Sequence, residues 1–250
     1  MASASRVRLL PGGCLALALL TALGCGRIGP RQYEYDEQID LSLDGSAVVD
    51  VNASIPALVV LRGADLDVTP TARLDRDTIR ALYEGPGAVV TQVSSFRRHG
   101  RRFVHVRVDV DDIRRLTELD RFSWSRYELG RTDDAEAYRF AQEVGRAEGR
   151  HVGDVGWNGS ELIAFRVHLP SRIQFHNSPE HIERGNILVW EQLLSDRIAG
   201  VPLRMESRMD TQSILSRTLW LFGATFAVAM AALGLVIWWM ARKGRSLAPA

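Results

Sequence analysis

Residues 33–55 read YEYDEQIDLSLDGSAVVDVNASI, two alternating segments meeting at Asp44-Gly45. Tyr35, Ile39, Leu41 and Leu43 fall on one face. Ala47, Val49, Val51, Ala53 and Ile55 resume the same two-residue period after the turn. That period belongs to a strand with one buried face, and Asp-Gly readily takes the positive φ angles of a type I′ hairpin. Two antiparallel strands are expected here. Pro56 ends the second, and a loop punctuated by Pro and Asp follows.

Working outward, DRDTIRALY (75–83) starts with Asp75 as a capping residue and reads as a short helix, stopped by Gly85-Pro86-Gly87. Residues 89–96 and 103–110 form a second hairpin around the basic tip RRHGRR. DDIRRLTELDRF (111–122) opens with acidic residues, as a helix does. Residues 133–145 admit two readings. Asp133-Asp134 suits a helix cap, whereas Tyr138, Phe140 and Val144 suit a strand, and the glycines that follow favour the strand. ELIAFRVHLP, NILVWEQ and PLRMESRM are three further strands, the last with Leu203, Met205 and Met209 on one face. The expected fold class is α+β: an antiparallel sheet built from hairpins, short helices on one face, and one C-terminal transmembrane helix.

Both ends of the chain are apolar. Residues 218–241 carry no charge over 24 positions, about 36 Å of helix, enough for about 30 Å of hydrocarbon. Trp220, Trp238 and Trp239 stand where aromatic belts form, and Arg242, Lys243 and Arg245 follow as a cytoplasmic stop. A buried core helix is the competing reading, disfavoured by this uniform apolarity and charged end. Gly223, Ala227 and Ala231 make a small-residue face suited to packing on another envelope protein's helix, or are simply apolar filler. At the other end, Arg6 and Arg8 precede a short apolar run, 14–23, broken upstream by Pro11-Gly12-Gly13. That run is too short to span and reads as a signal peptide. Its ending, Ala22-Leu23-Gly24-Cys25, resembles a bacterial lipobox with Ala22 at the position where Leu is usual. Cys25 is the acylation candidate, with an ordinary cleaved signal as the alternative. The expected organisation is a signal peptide at 1–24, a lipidated linker at 25–32, an exoplasmic domain at 33–210, the span at 218–241 and a cytoplasmic tail at 242–250.

Charge and cysteine usage narrow the function classes. Every Asp and Glu lies between Glu34 and Asp210, and residues 26–216 hold 25 Arg against 30 acids. With no dominant basic block, nucleic acid is not an expected partner. Both cysteines, Cys14 and Cys25, lie in the N-terminal segment, so a body disulfide, a cysteine metal site and a cysteine nucleophile are excluded.

The candidate sites are few. Arg97, Arg98, Arg101 and Arg102 surround Gly100, and four guanidinium groups at a hairpin tip would grip anionic lipid headgroups; otherwise they form a solvated turn that discourages edge pairing. His168, His176 and His181, with Glu180 and Glu183, supply metal-ligand types for a hydrolase but follow no zinc spacing. GDVGWNG (153–159) lacks the Lys-Ser/Thr of a phosphate loop, and neither G-x-S-x-G nor S-x-x-K occurs. No cofactor, metal or catalytic residue is expected.

The order of parts resembles that of the LppM-like bacterial lipoproteins: a lipobox, a DG hairpin, an α+β body, a late strand carrying HLPSRI and HN, a membrane helix and a basic tail. The resemblance implies a small exoplasmic α+β domain without established enzymatic chemistry, for which lipid or envelope binding is the suggested role. No catalytic residue carries over from it.

Overall fold

The computed structural model describes residues 31–179 and 185–245. The body holds ten strands: β1 (Tyr33–Leu41), β2 (Ala47–Ser54), β3 (Ala88–Arg98), β4 (Arg101–Val110), β5 (Ser125–Arg131), β6 (Ala137–Val144), β7 (Leu162–His168), β8 (Ile173–His176), β9 (Ile187–Leu193) and β10 (Leu203–Asp210). Helices α1 (Ile55–Arg62), α2 (Arg76–Tyr83) and α3 (Leu194–Ile198) belong to the body, as does a 3-10 helix at Ile113–Glu118. The long helix α4 (Ile214–Arg245) ends the described chain.

The α+β class holds, with two sheets where one was expected. A six-stranded sheet runs β3-β4-β2-β1-β7-β9, and a four-stranded sheet runs β5-β6-β10-β8. All pairings between these strands are antiparallel except β1 with β7, where Asp36 lies beside Ala164 and Asp40 beside His168. Inward residues of both sheets share one apolar cluster, from Tyr35, Ile39 and Val106 on the first to Phe140, Met205 and Met209 on the second. Trp124 bridges them, edge-on to Tyr35 at 5.4 Å and tilted against Phe165 at 5.9 Å.

The turns redistribute the expected hairpin chemistry. Between β1 and β2, Gly45 N–H donates to Ser42 O at 3.2 Å and Ser42 N–H to Ser46 O at 2.9 Å. Of the residues between these strands only Gly45 has a positive φ, 102°, so the loop is longer than a two-residue type I′ turn. Asp44 accepts from the Ser46 N–H and hydroxyl. The positive φ pair that a type I′ turn needs occurs instead at His99 (50°) and Gly100 (75°), between β3 and β4.

Helix α1 occupies the stretch expected to be a loop. Ser54 Oγ accepts from Ala57 N–H at 3.1 Å, Pro56 sits in the first turn where its missing donor is harmless, and Gly63 closes the helix at φ 60°. All eight residues of α1 are buried. A helix apolar on every side shows no 3.6-residue alternation, and for that reason its periodicity is invisible in the sequence. Its C-terminal carbonyls are satisfied by a distant loop, with Glu148 N–H on Leu61 O and Gly149 N–H on Val60 O, both at 3.1 Å. The segment 137–144 is a strand, and Asp75 and Asp112 cap α2 and the 3-10 helix.

Candidate membrane-facing site

Strand direction gives the body two poles. The β1–β7 parallel pair runs from Tyr33 and Leu162 at the far pole to Leu41 and His168 at the near pole. Strand β10 ends at the near pole as well. Asp210 N–H donates to Arg172 O at 2.9 Å, Ser171 Oγ to Gln212 O at 2.8 Å, and Ile214 N–H to Pro170 O at 3.0 Å. Only residues 211–213 separate β10 from α4, and these bonds tie that exit to the segment following β7. Within α4, Thr218–Met240 is 23 residues long with mean hydropathy 2.1, and none of its most apolar window is buried against the body. It is long and apolar enough to cross a membrane.

The near pole is rich in carboxylates. The β1–β2 loop brings Asp44, the end of β4 brings Asp111 and Asp112, and the β5–β6 turn brings Asp133, Asp134 and Glu136. Their basic neighbours include Arg114, taken by Asp112 at 2.7 Å, and Arg131, whose guanidinium lies 5.5 Å from the Tyr138 ring centre. Hydrogen bonds from Thr132 and Glu136 hold the Asp134 carboxyl below its usual range, and bonds from Ser46 do the same for Asp44. An open depression of 840 Å³ lies here, lined by Arg131, Asp133, Asp134, Arg139 and Arg208. Arg139 is already engaged by Glu128 and Glu206, each at 2.9 Å.

The arginine tip lies at the far pole, where β3 ends and β4 begins, and its four guanidinium groups do not act alike. Arg101 is 6% exposed; it bonds Glu34 at 2.8 Å and the Val155 and Gly156 carbonyls at 3.3 and 3.1 Å. Arg102, also 6% exposed, donates to Ala72 O at 2.9 Å and to Asp67 O. These two fasten neighbouring loops to the sheet. Arg98 is half-buried, donating to Tyr33 O at 2.6 Å and lying over the Phe103 ring at 4.7 Å. Arg97 faces solvent beside Phe96, which is 43% exposed and stacked on Phe103 at 5.3 Å. The outward surface of the tip is therefore Phe96, Arg97, the edge of Arg98 and His99. In the sequence the four arginines look equivalent; Arg97 pairs across the strands with Arg102 and Arg98 with Arg101, and it is the distant loops bonded to Arg101 and Arg102 that separate inner from outer.

The histidines are dispersed. His168 on β7 pairs with Asp40 at 3.2 Å, and His176 stands on β8 of the other sheet. His181, Glu180 and Glu183 lie outside the described residues, as does Cys25. Among the described residues no three His, Cys, Asp or Glu side chains are placed to hold one metal ion.

A buried polar network, missed by sequence reasoning, joins the sheets. Glu37 on β1 is fully buried and accepts from Tyr35 OH at 2.7 Å, Gln142 Nε2 at 2.9 Å and Tyr127 OH at 3.1 Å. Burial pushes its carboxyl above the ordinary carboxylate range, against the pull of those three donors and of Arg62. Arg62 stacks on Trp124 at 4.7 Å and bonds the Asp120 and Arg121 carbonyls at 2.7 and 2.8 Å. Glu37 occupies a place in the alternation where an apolar residue is expected, and that was the available signal. With no exposed surface, the carboxyl is a cross-sheet tie.

No family model and no curated protein matches this chain. Among solved structures, the NMR structure of the folded domain of Mycobacterium tuberculosis LppM is similar at 14% identity. It covers 75% of this chain and 95% of that one, with a TM-score of 0.39. At that score the likeness carries no argument.

Proposed function

We propose that this chain is a membrane-anchored, lipoprotein-like domain of the bacterial envelope that binds lipid or an envelope partner and performs no chemistry of its own. The observation that supports this best is the junction of β10 with α4. An unburied apolar span leaves the body after residues 211–213, and both sides of that exit are hydrogen-bonded. The body is thereby held against the bilayer. The basic stop after the span points the body to the exoplasmic side, acylation of Cys25 supplies a second anchor, and membership of the LppM-like lipoproteins fits the same order of parts.

Protease added outside intact spheroplasts tests the reading. Digestion of the body with retention of the membrane-protected helix is expected, and a protected body overturns it. Mass spectrometry of the mature N-terminus tests the acyl chains on Cys25.

A further inference from the structure

A sheet edge carries unpaired backbone groups, and the edges of this body are treated differently. The edge of β9 is met by Ser178 Oγ, which donates to Val189 O at 2.6 Å. At β5, Thr117 Oγ1 donates to Ser125 O at 2.9 Å, and β8 has only four residues. Strand β3 has eleven and ends the six-stranded sheet. Its near-pole end is occupied: Gly85 and Ala88 exchange backbone bonds at 3.0 and 3.2 Å, and Arg80 donates to Val90 O. Thr91 is an extra residue without a partner on β4, and beyond it the edge is bare.

The ladder fixes which groups face outward. Asp111 N–H donates to Gly87 O at 2.9 Å, so the alternate residues Asp109, Arg107, His105 and Phe103 of β4 bond β3. After the bulge their partners are Gln92, Ser94 and Phe96, which turns the N–H and C=O of Val93, Ser95 and Arg97 away from β4. Among the described residues no backbone group meets them. An open groove of 420 Å³ lies beside this edge, between Ser95, Phe96 and Arg97 on one side and the loop 71–74 on the other. Its described lining holds Arg73, Arg97 and Arg102 and no carboxylate. Arg102 is committed to carbonyls, whereas Arg73 and Arg97 are exposed. The flanking carboxylates turn back on their own loop: Asp67 accepts from Thr69 N–H, and Asp75 from Asp77 N–H and the Thr78 hydroxyl. Arg76 and Asp77 follow on α2 as neighbours of opposite sign. On the other face of β3, the Phe96 ring is 43% exposed.

We propose that β3 receives, as an added strand, an extended segment of an envelope partner whose side chains alternate acidic and apolar. Its backbone pairs with Val93, Ser95 and Arg97, about 17 Å of strand for five residues. Its acidic side chains face Arg73 and Arg97 in the groove, and its apolar ones pack beside Phe96 on the opposite face, because successive side chains of a strand point to opposite sides. The inference rests on the partner-binding side of the function proposed above and names the kind of partner.

Full-length protein in detergent micelles is titrated with two fluorescein-labelled peptides, Thr-Glu-Val-Glu-Val-Glu-Thr and its counterpart with Lys in place of Glu, and anisotropy reads the binding. The acidic peptide is expected to bind about tenfold tighter than the basic one and to slow hydrogen exchange at the Val93, Ser95 and Arg97 amides. Ser95→Pro removes an outward N–H, leaves the β4 ladder its bonds and should abolish binding. Arg97→Glu should shift the preference toward the basic peptide, a gain that a misfolded body cannot produce. No binding of the acidic peptide, or binding that ignores both substitutions, overturns the proposal. The protease experiment on spheroplasts separates that failure from a failure of the envelope reading, since a digested body keeps the latter standing. A concentration-dependent dimer that Ser95→Pro abolishes makes the occupant a second copy of this chain and overturns the proposal as well.

Discussion

Helix α1 and residues 218–240 of α4 are both apolar runs, and the body covers only the first. The eight residues of α1 are all buried in the body, whereas none of the most apolar window of α4 is buried. Composition does not separate them; length and connection do. A helix of eight residues is about 12 Å long and cannot cross a bilayer, so its all-round apolarity is satisfied only inside a protein core. A 23-residue apolar segment is long enough to match the hydrocarbon thickness of a bilayer, and the short, bonded exit from β10 leaves it unburied by the body. Hydrophobicity says that water is excluded and leaves open what replaces it.

The comparison breaks most severely at its inner member. Leu58, fully buried in α1, should cost about 2–5 kcal/mol of body stability when changed to alanine, because the core there cannot collapse around the void. Urea unfolding of the anchored chain in detergent checks this, and a loss below about 0.5 kcal/mol would mean that α1 is not central. Gly149→Ala attacks the same helix from outside. A Cβ at that position would lie 1.9 Å from Val59 O and 2.4 Å from Val60 O, so the loop that caps α1 must move. A loss of about 2 kcal/mol is expected, with faster hydrogen exchange at the Glu148 amide.

At the outer member, Ala229→Arg places a charge at the middle of the span and should cost about 2.5–3.5 kcal/mol of insertion free energy. Release of the chain from carbonate-washed membranes reads it. Unchanged retention would show that α4 is not the anchor. A smaller test sharpens the boundary of α1: Ser54→Ala removes the oxygen that accepts from Ala57 N–H and should cost about 1 kcal/mol.

The polar tie beside α1 supplies a test by pH. Glu37 is harder to ionise when folded than when unfolded, where its ordinary value is 4.5. Below 4.5 both states hold the proton and stability is independent of this group. As pH rises above 4.5 the unfolded chain ionises first, so stability falls until the folded carboxyl has also titrated, and is flat beyond that. Glu37→Gln should reduce this slope in urea midpoints measured from pH 4 upward. An identical slope would assign the pH response to other carboxylates.

Much of the fold is legible because its strands expose one side. The alternation of residues 47–53 or 104–110 marks β2 and β4, and Asp75 marks the start of α2 through the local bond it makes. The 3-10 helix and β6 follow from similar short-range signals. The strand β5, the four-residue β8 and the buried helix α1 escape notice. For β8 there are too few residues to establish a period, and for α1 there is no exposed face to contrast with a buried one. The division into two sheets was also hidden, since nothing local says that β6 pairs with β10 across about sixty residues of chain.

The arginine tip was legible as a place and illegible as a chemistry. That RRHGRR turns a hairpin follows from its flanks, and the structure agrees. That Arg101 and Arg102 turn inward onto Glu34 and backbone carbonyls, leaving Arg97 outside, depends on loops distant in sequence. Glu37 is the inverse case: it stands at an inward place of the β1 alternation where an apolar residue is expected, and three partners from both sheets make its burial tolerable.

The sequence by itself determined the class of fold, the apolar helix at the C-terminal end and the basic hairpin. Each depends on periodicity, length or capping over a few consecutive residues. Tertiary structure alone decided which arginines remain outside, which carboxylate is sealed within, and that the basic tip and the long apolar helix stand at opposite poles. The arginines are sorted by loops remote in sequence that bond Arg101 and Arg102, and Glu37 by the register of β1, where a one-residue shift would exchange the inward and outward sides.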